Sequence, residues 1–287
     1  MTSRYMIVNI LIIVSIIFSC QDSQSGSALT DSDFSNKSIQ HVDEPDGNTV
    51  LTRFSTPEGY KRTDVQPDSF GSFLRDLPLK GKGESVLYYD GRRKTRAGVY
   101  LAVVDLPIGT KNLHQCADAI MRLRADYLRA QKRYDEIHFN FTNGFKADYQ
   151  NWMNGNRIRV SGNNVSWYAG GQSGDNDKSY WRYLEMVFSY AGTLSLSKEL
   201  KSKDISQIEI GDVFIQGGSP GHAVIVVDMA VNQKGENLMM LAQSFMPAQE
   251  IQILANPRDL QSPWYLVKSG TLKTPEWTFT TKDLKTF

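Results

Sequence analysis

The stretch "GDVFIQGGSPGHAVIVVD", residues 211–228, joins a short apolar segment to a long one through a glycine-rich turn. The run Ala223–Val227 carries no polar residue, as a strand buried on both faces requires. "GGSPG" reads as the bend that folds one strand back on the next, and Asp212 as a turn cap. An ionisable ring, His222, at the mouth of a buried strand therefore calls for a reason. Downstream, "ENLMMLAQSF" reads as a third strand, joined to the second by the hairpin turn "NQKGE". With that turn centred near Lys234-Gly235, a residue around 245–248 lies opposite His222. Gln243 falls slightly short of that position, with its side chain on the same face. A slip of one residue would reverse the face.

Working outward, "ESVLYYDGRRKTRAGVYLAVVDLPIG" reads as a hairpin of strands over 85–89 and 97–106. "TKNLHQCADAIMRLRADYLRAQKRY" reads as a helix capped by Thr110 or Asn112, with Leu113, Cys116, Ile120, Leu123 and Tyr127 at helical spacing. "EIHFNF" is a short strand, a short helix is expected around 146–152, and an apolar helix over 177–192. Early strands, a helix, irregular structure, a second helix and a strand meander predict one α+β domain over 49–287, an antiparallel sheet with helices packed against it.

The first residues have a different character. "MTSRYMIVNILIIVSIIFSC" has a basic start, an apolar middle too short for a membrane span and a small residue before Cys20. This is the layout of a bacterial lipoprotein signal: residues 1–19 are removed and Cys20 is lipidated, anchoring the protein to a membrane. Residues 20–48, rich in Ser, Asp, Gln and Asn, cannot build a core and read as a flexible tether. The expected location is the bacterial cell envelope, with the outer membrane favoured. The net charge of +1, from 32 basic and 31 acidic residues, offers no field for nucleic acid. No metal-ligand spacing is present, and no cofactor is expected.

The chain has two cysteines. With Cys20 lipidated, Cys116 has no partner in an oxidising compartment, so it is either shielded in a core or used. It lies within a turn of the expected helix start, where unpaired N–H groups stabilise a thiolate. Of His41, His114, His138 and His222, the last is best placed as its base: His41 is in the tether, His114 would point away from Cys116 on a helix, and His138 is inside a strand. Gln243 carries an amide oxygen able to orient the ring, with Ser244 and Gln249 as weaker options. Gln115, beside the cysteine, is a candidate oxyanion donor. Tyr149, Trp152, Trp167, Tyr168, Tyr180 and Trp181 offer faces for sugar rings, with Trp152 and Trp167 the substrate-contact candidates; aromatics in such numbers also build cores. Arg122 and Arg124 either bind a carboxylate or form a salt-bridged face.

Cysteine at a helix start, "GDVFI", then "GHAVIVVD" opening a strand and a polar residue on the next resembles the papain-like NlpC/P60 and CHAP cell-wall hydrolases. That resemblance implies a papain-like fold with Cys116 as nucleophile, His222 as base and Gln243 as orienting residue, acting on peptidoglycan peptide. The spacing of Cys116 from His222 is longer than usual there, "HQCADAIMRLR" is not their usual cysteine box, and Gln replaces the commoner His, Asn or Glu. "QCADAIMRLRADYL", "YAGTLSLSKEL" and "MPAQEIQIL" resemble more closely an uncharacterised lipoprotein family, domain of unknown function 4846. That family implies an envelope lipoprotein without an assigned activity. Two other functions stay open: a non-catalytic module that binds a cell-wall fragment or a partner lipoprotein, and acyl or peptidyl transfer by the same thiol.

Overall fold

The eleven-residue strand His222–Asn232 is the spine of the molecule. Its residues from His222 to Ala230 are all buried because both faces are covered. Ala223, Ile225, Val227 and Ala230 join the cluster that contains Ile120, Leu123, Tyr183 and Leu184. Val224, Val226 and Met229 join a second cluster with Phe214, Met239, Leu241 and Phe279. Each aliphatic side chain fully buried in this way contributes about 1.5–3 kcal/mol.

The computed structural model describes residues 47–287. The signal-like segment, Cys20, His41 and the tether up to residue 46 lie outside the described residues. The fold is mixed α+β, and the main sheet is antiparallel with nine strands. Its order is Tyr100–Val103, Gln252–Leu254, Asn237–Gln243, His222–Asn232, Val213–Gln216, Leu284–Thr286, Lys201–Ser202. Tyr60–Arg62 adds to the distal end of the His222 strand, and Trp264–Leu266 pairs with the Gln243 strand. The helix Cys116–Ala130 packs on one face with Asp177–Tyr190 and Thr193–Glu199 behind it.

Several local expectations change. The early hairpin does not form as a strand pair. Tyr100–Val103 pairs instead with Gln252–Leu254, and Leu87 and Tyr88 make only isolated bridges to Arg93 and Gln249. A turn signal shows that the chain reverses, and it does not select the partner strand. The cysteine helix starts at Cys116 itself, capped by Gln115 rather than Thr110 or Asn112. Around 146–152, a strand Lys146–Asp148 precedes the helix Tyr149–Met153. The turn before His222 is glycine-rich for steric reasons: a Cβ on Gly221 would lie 2.4 Å from Thr193 Oγ1 and 2.6 Å from the Gly218 carbonyl. Asp212 does cap a turn, accepting from the Glu209 N–H and from Lys203 Nζ.

The spine carries a bulge. Val226 pairs with Leu241 and Asp228 with Met240, so the His222 strand spends one residue more than its partner. Asp228, fully buried, holds that point. Its carboxylate accepts from Arg62 Nε at 2.7 Å, Arg75 Nε at 2.6 Å and the Met229 N–H at 2.8 Å. Removing one member of a buried ion pair strands the others without a counter-charge. Asp228→Ala is therefore expected to lose about 3–5 kcal/mol of stability, read by urea unfolding. A loss within the scatter of surface substitutions would show that the bulge does not depend on this bridge.

Candidate thiol and imidazole site

The bulge decides where Gln243 points. Had the pairing of Asp228 with Met240 continued in step, Gln243 would stand opposite Ile225, on the face of the cysteine helix. The extra residue instead pairs Ala242 with Ile225, so Gln243 follows opposite Val224, on the face shared with His222. His222 Nε2 and Gln243 Oε1 are 2.8 Å apart.

The chemistry behind Gln243 fixes the proton on that ring. Gln243 Nε2 donates to Glu276 Oε2 at 2.7 Å, and the same oxygen accepts from Lys94 Nζ at 2.6 Å. A carboxylate salt-bridged to lysine can only accept, so the amide must turn its NH2 toward Glu276 and its oxygen toward His222. Nε2 therefore carries the hydrogen, and Nδ1 presents its lone pair. Nδ1 is buried and has no hydrogen-bond partner. The ring is enclosed by Phe245, Trp277 and Phe279, with centroids at 4.8, 5.3 and 5.9 Å. This shell keeps water from the bond to Gln243. Burial holds the imidazole down at about 4, assisted by the charge of Lys94 and opposed by the Gln243 bond.

Cys116 is the first residue of its helix, where backbone N–H groups lack intrahelical partners. Its sulfur is approached by the N–H groups of Ala117, of Ala223 and of Cys116 itself. Ala223 points to the cysteine-helix face, and His222, one residue before it, to the opposite face. The structure does not bring Cys116 and His222 together: the ring lies with Phe279 and Trp277 on the face away from the cysteine helix, and it does not border the cavity beside the sulfur. Burial pushes the thiol up to about 11, and the Asp118 carboxyl adds to this, while the three N–H groups act against it. The resting pair is thus a neutral thiol and a neutral imidazole.

Cys116 borders a cavity of about 400 Å3. One wall is the helix start from Asn112 to Asp118; the other is formed by Gly192–Leu194 and Gly218–Gly221, with Phe188 and Met246 at the sides. Gln115 lies on this cavity, but its N–H is committed to Asp118 Oδ2 at 2.9 Å. Its side-chain Nε2, 3.4 Å from Asn112 Oδ1, is the group able to reach a ligand. Trp152 and Trp167 do not border the cavity. Trp152 is core, its indole N–H bonded to Ser179 Oγ, and Trp167 packs on Phe145. Arg122 is engaged by Asp126, the Pro107 carbonyl and the Trp181 face, and Arg124 lies over Phe70, Tyr127 and Phe287. His114 is buried, with Nδ1 on the Gln249 carbonyl and burial holding it down at about 3. The Ser244 hydroxyl lies within hydrogen-bond distance of the His114 and Gln249 carbonyls and donates its single proton to one of them at a time. Among the described residues no cluster able to hold a metal ion occurs. Lys94 and Glu276 escaped the sequence reading because they come from distant loops with no spacing signal.

Asp118 is nearly buried, and desolvation pushes its carboxyl up to about 8, with the Gln115 N–H acting against it. Between pH 4 and 8 the unfolded chain ionises this group while the folded chain keeps it protonated, so its contribution to stability falls as pH rises across that window. The melting temperature of Asp118→Asn, relative to the parent, is expected to climb from pH 4 to pH 8 and then level. A constant difference across this range would place the carboxyl in solvent.

No curated protein and no solved structure matches the chain. The chain belongs to the family described as domain of unknown function (4846), whose model matches residues 50–286.

Proposed function

We propose that this protein is a thiol hydrolase of amide bonds on a papain-like scaffold. What supports this reading is Cys116 opening its helix on the wall of a cavity, together with a neighbouring His222 whose Nε2–H is held by Gln243 and whose Nδ1 is bare. With the thiol at about 11 and the imidazole at about 4, no ion pair is stored at rest. The proton moves as the reaction proceeds. For that transfer the His222 ring has to leave Phe245, Trp277 and Phe279 and turn to the face of the cysteine helix, a movement that substrate binding would have to drive.

The steps balance as follows. Cys116 Sγ attacks the carbonyl carbon while its proton passes to His222 Nδ1. The carbonyl oxygen takes up negative charge and is met by the helix-start N–H of Cys116, with the Gln115 side-chain amide beside it. The C–N bond breaks as Nδ1–H protonates the departing amine, leaving a thioester. Water then attacks the thioester, gives a proton to His222 Nδ1, and the thiolate leaves and recovers that proton. Throughout, Gln243 keeps the Nε2–H in place, and Glu276 behind it favours the transient imidazolium that Lys94 opposes.

Peptidoglycan peptide is the proposed substrate, on the strength of the envelope-type leader and the resemblance to cell-wall hydrolases. The lipid anchor on Cys20 belongs to the same proposal; among the described residues no helix is long and apolar enough to cross a membrane. A second reading, a non-catalytic module that binds a wall fragment or partner lipoprotein, draws on the burial of Cys116, which is 4% exposed, and on the His222 ring lying away from it. Acyl or peptidyl transfer would use the same thioester with an added amine in place of water.

Hydrolysis of peptidoglycan fragments separates these readings. Cys116→Ala is expected to abolish turnover, and His222→Ala to lower kcat by about 10²–10⁴-fold. Gln243→Leu should lose less than His222→Ala, because the ring remains but is no longer held. Binding without cleavage, or turnover that survives Cys116→Ala, would overturn the hydrolase reading, and amine adducts would replace hydrolysis by transfer.

A further inference from the structure

The cavity beside Cys116 has, apart from the thiol, a single ionisable lining side chain: Asp118. Its Oδ2 is committed to the Gln115 N–H at 2.9 Å, while Oδ1 is buried and has no partner among the described residues. The side chain is only 5% exposed. The nearest cation along the helix, Arg122, is turned to Asp126 and the Pro107 carbonyl. The protein thus leaves one buried carboxylate oxygen in the wall of the cavity with no cation to satisfy it.

We propose that Asp118 binds an ammonium group of the substrate, next to the bond presented to Cys116. An ammonium supplies both the donor that Oδ1 lacks and the charge that offsets desolvation of the carboxylate. Position supports the same assignment: Asp118 and Cys116 line one cavity, and the Asp118 carboxyl is near enough to raise the thiol, so an ammonium held there sits close to the reacting carbonyl. The rest of the lining is neutral: Gln115, Thr142 and Ser219 give hydrogen bonds, and the half-exposed Leu194 and Met246 give apolar contact. The substrate class is a peptide whose residue at the cleaved bond carries a free amine, either an amino terminus or the side chain of a diamino acid. As a statement about cleavage this rests on the thiol reading; as a statement about binding it stands apart.

The test uses full-length Cys116→Ala protein at pH 8 and two matched peptide pairs, followed by calorimetry. One pair is an alanyl peptide amide with its α-amine free or acetylated. The other is an acetyl-lysyl peptide amide with its side-chain amine free or acetylated. The expected result is that the free amine of one pair binds about 10–100-fold tighter than its acetylated twin, the range of a charge-assisted hydrogen bond. The discriminating pair identifies the amine. Adding Asp118→Asn, which keeps an acceptor for the Gln115 N–H, should erase the difference. Equal binding of both twins in both pairs, no binding at all, or a preference that survives Asp118→Asn would overturn the proposal. Should Asp118→Asn fail to fold, the twin comparison in the Asp118-containing protein still decides. Absence of hydrolysis by the parent protein would count against the thiol reading alone.

Discussion

One extra residue in a central strand governs the geometry around His222. The bulge between Val226 and Asp228 shifts the hairpin by one position, and side chains alternate faces with a period of two. Without the shift, the amide of Gln243 would point toward the cysteine helix and the ring would have no acceptor. The bulge is held from outside the hairpin. Arg62 comes from an added edge strand and Arg75 from a short helix, and both end on the buried Asp228 carboxylate. The same bulge lets Met229 and Met239 meet on the face that already carries Val226 and Leu241, so packing and site geometry agree.

A chain of directional hydrogen bonds runs from buried charge to the His222 ring. Lys94 and Glu276 fix an acceptor, the acceptor orients the Gln243 amide, and the amide selects the tautomer of His222. Two opposed effects then set the resting protonation. Burial disfavours both thiolate and imidazolium, while helix-start N–H groups and the Gln243 oxygen favour them; burial wins at both groups. A thiol kept neutral resists oxidation, since the thiolate is the form that oxidises.

Much of this was legible in the sequence because strong local signals coincide there. The apolar run after His222, the "NQKGE" turn and the period of the cysteine helix each have a short-range cause, and the alternation of the Gln243 strand placed that residue on the correct face. The notional register reached that face through a turn-based offset, whereas the protein reaches it through a bulge that no residue of "HAVIVVD" announces. Asp228 read as the end of a strand, yet it is the anchor of the bulge, because its partners lie more than 150 residues away in sequence. The strand partner of Tyr100–Val103 was hidden for a similar reason: pairing across long loops leaves no periodic trace. Trp152 and Trp167 show the limit of composition, since an aromatic suited to a sugar is equally suited to a core.

The proposed chemistry turns on a bare Nδ1 that exchanges a proton with the Cys116 sulfur, and nitrogen-15 NMR of the His222 ring measures it most directly. At pH 7 the expected spectrum shows a neutral ring protonated at Nε2, with the Nδ1 resonance moving when Cys116 is capped by methylthiolation. A proton on Nδ1, or an Nδ1 resonance indifferent to the capped sulfur, would contradict the account.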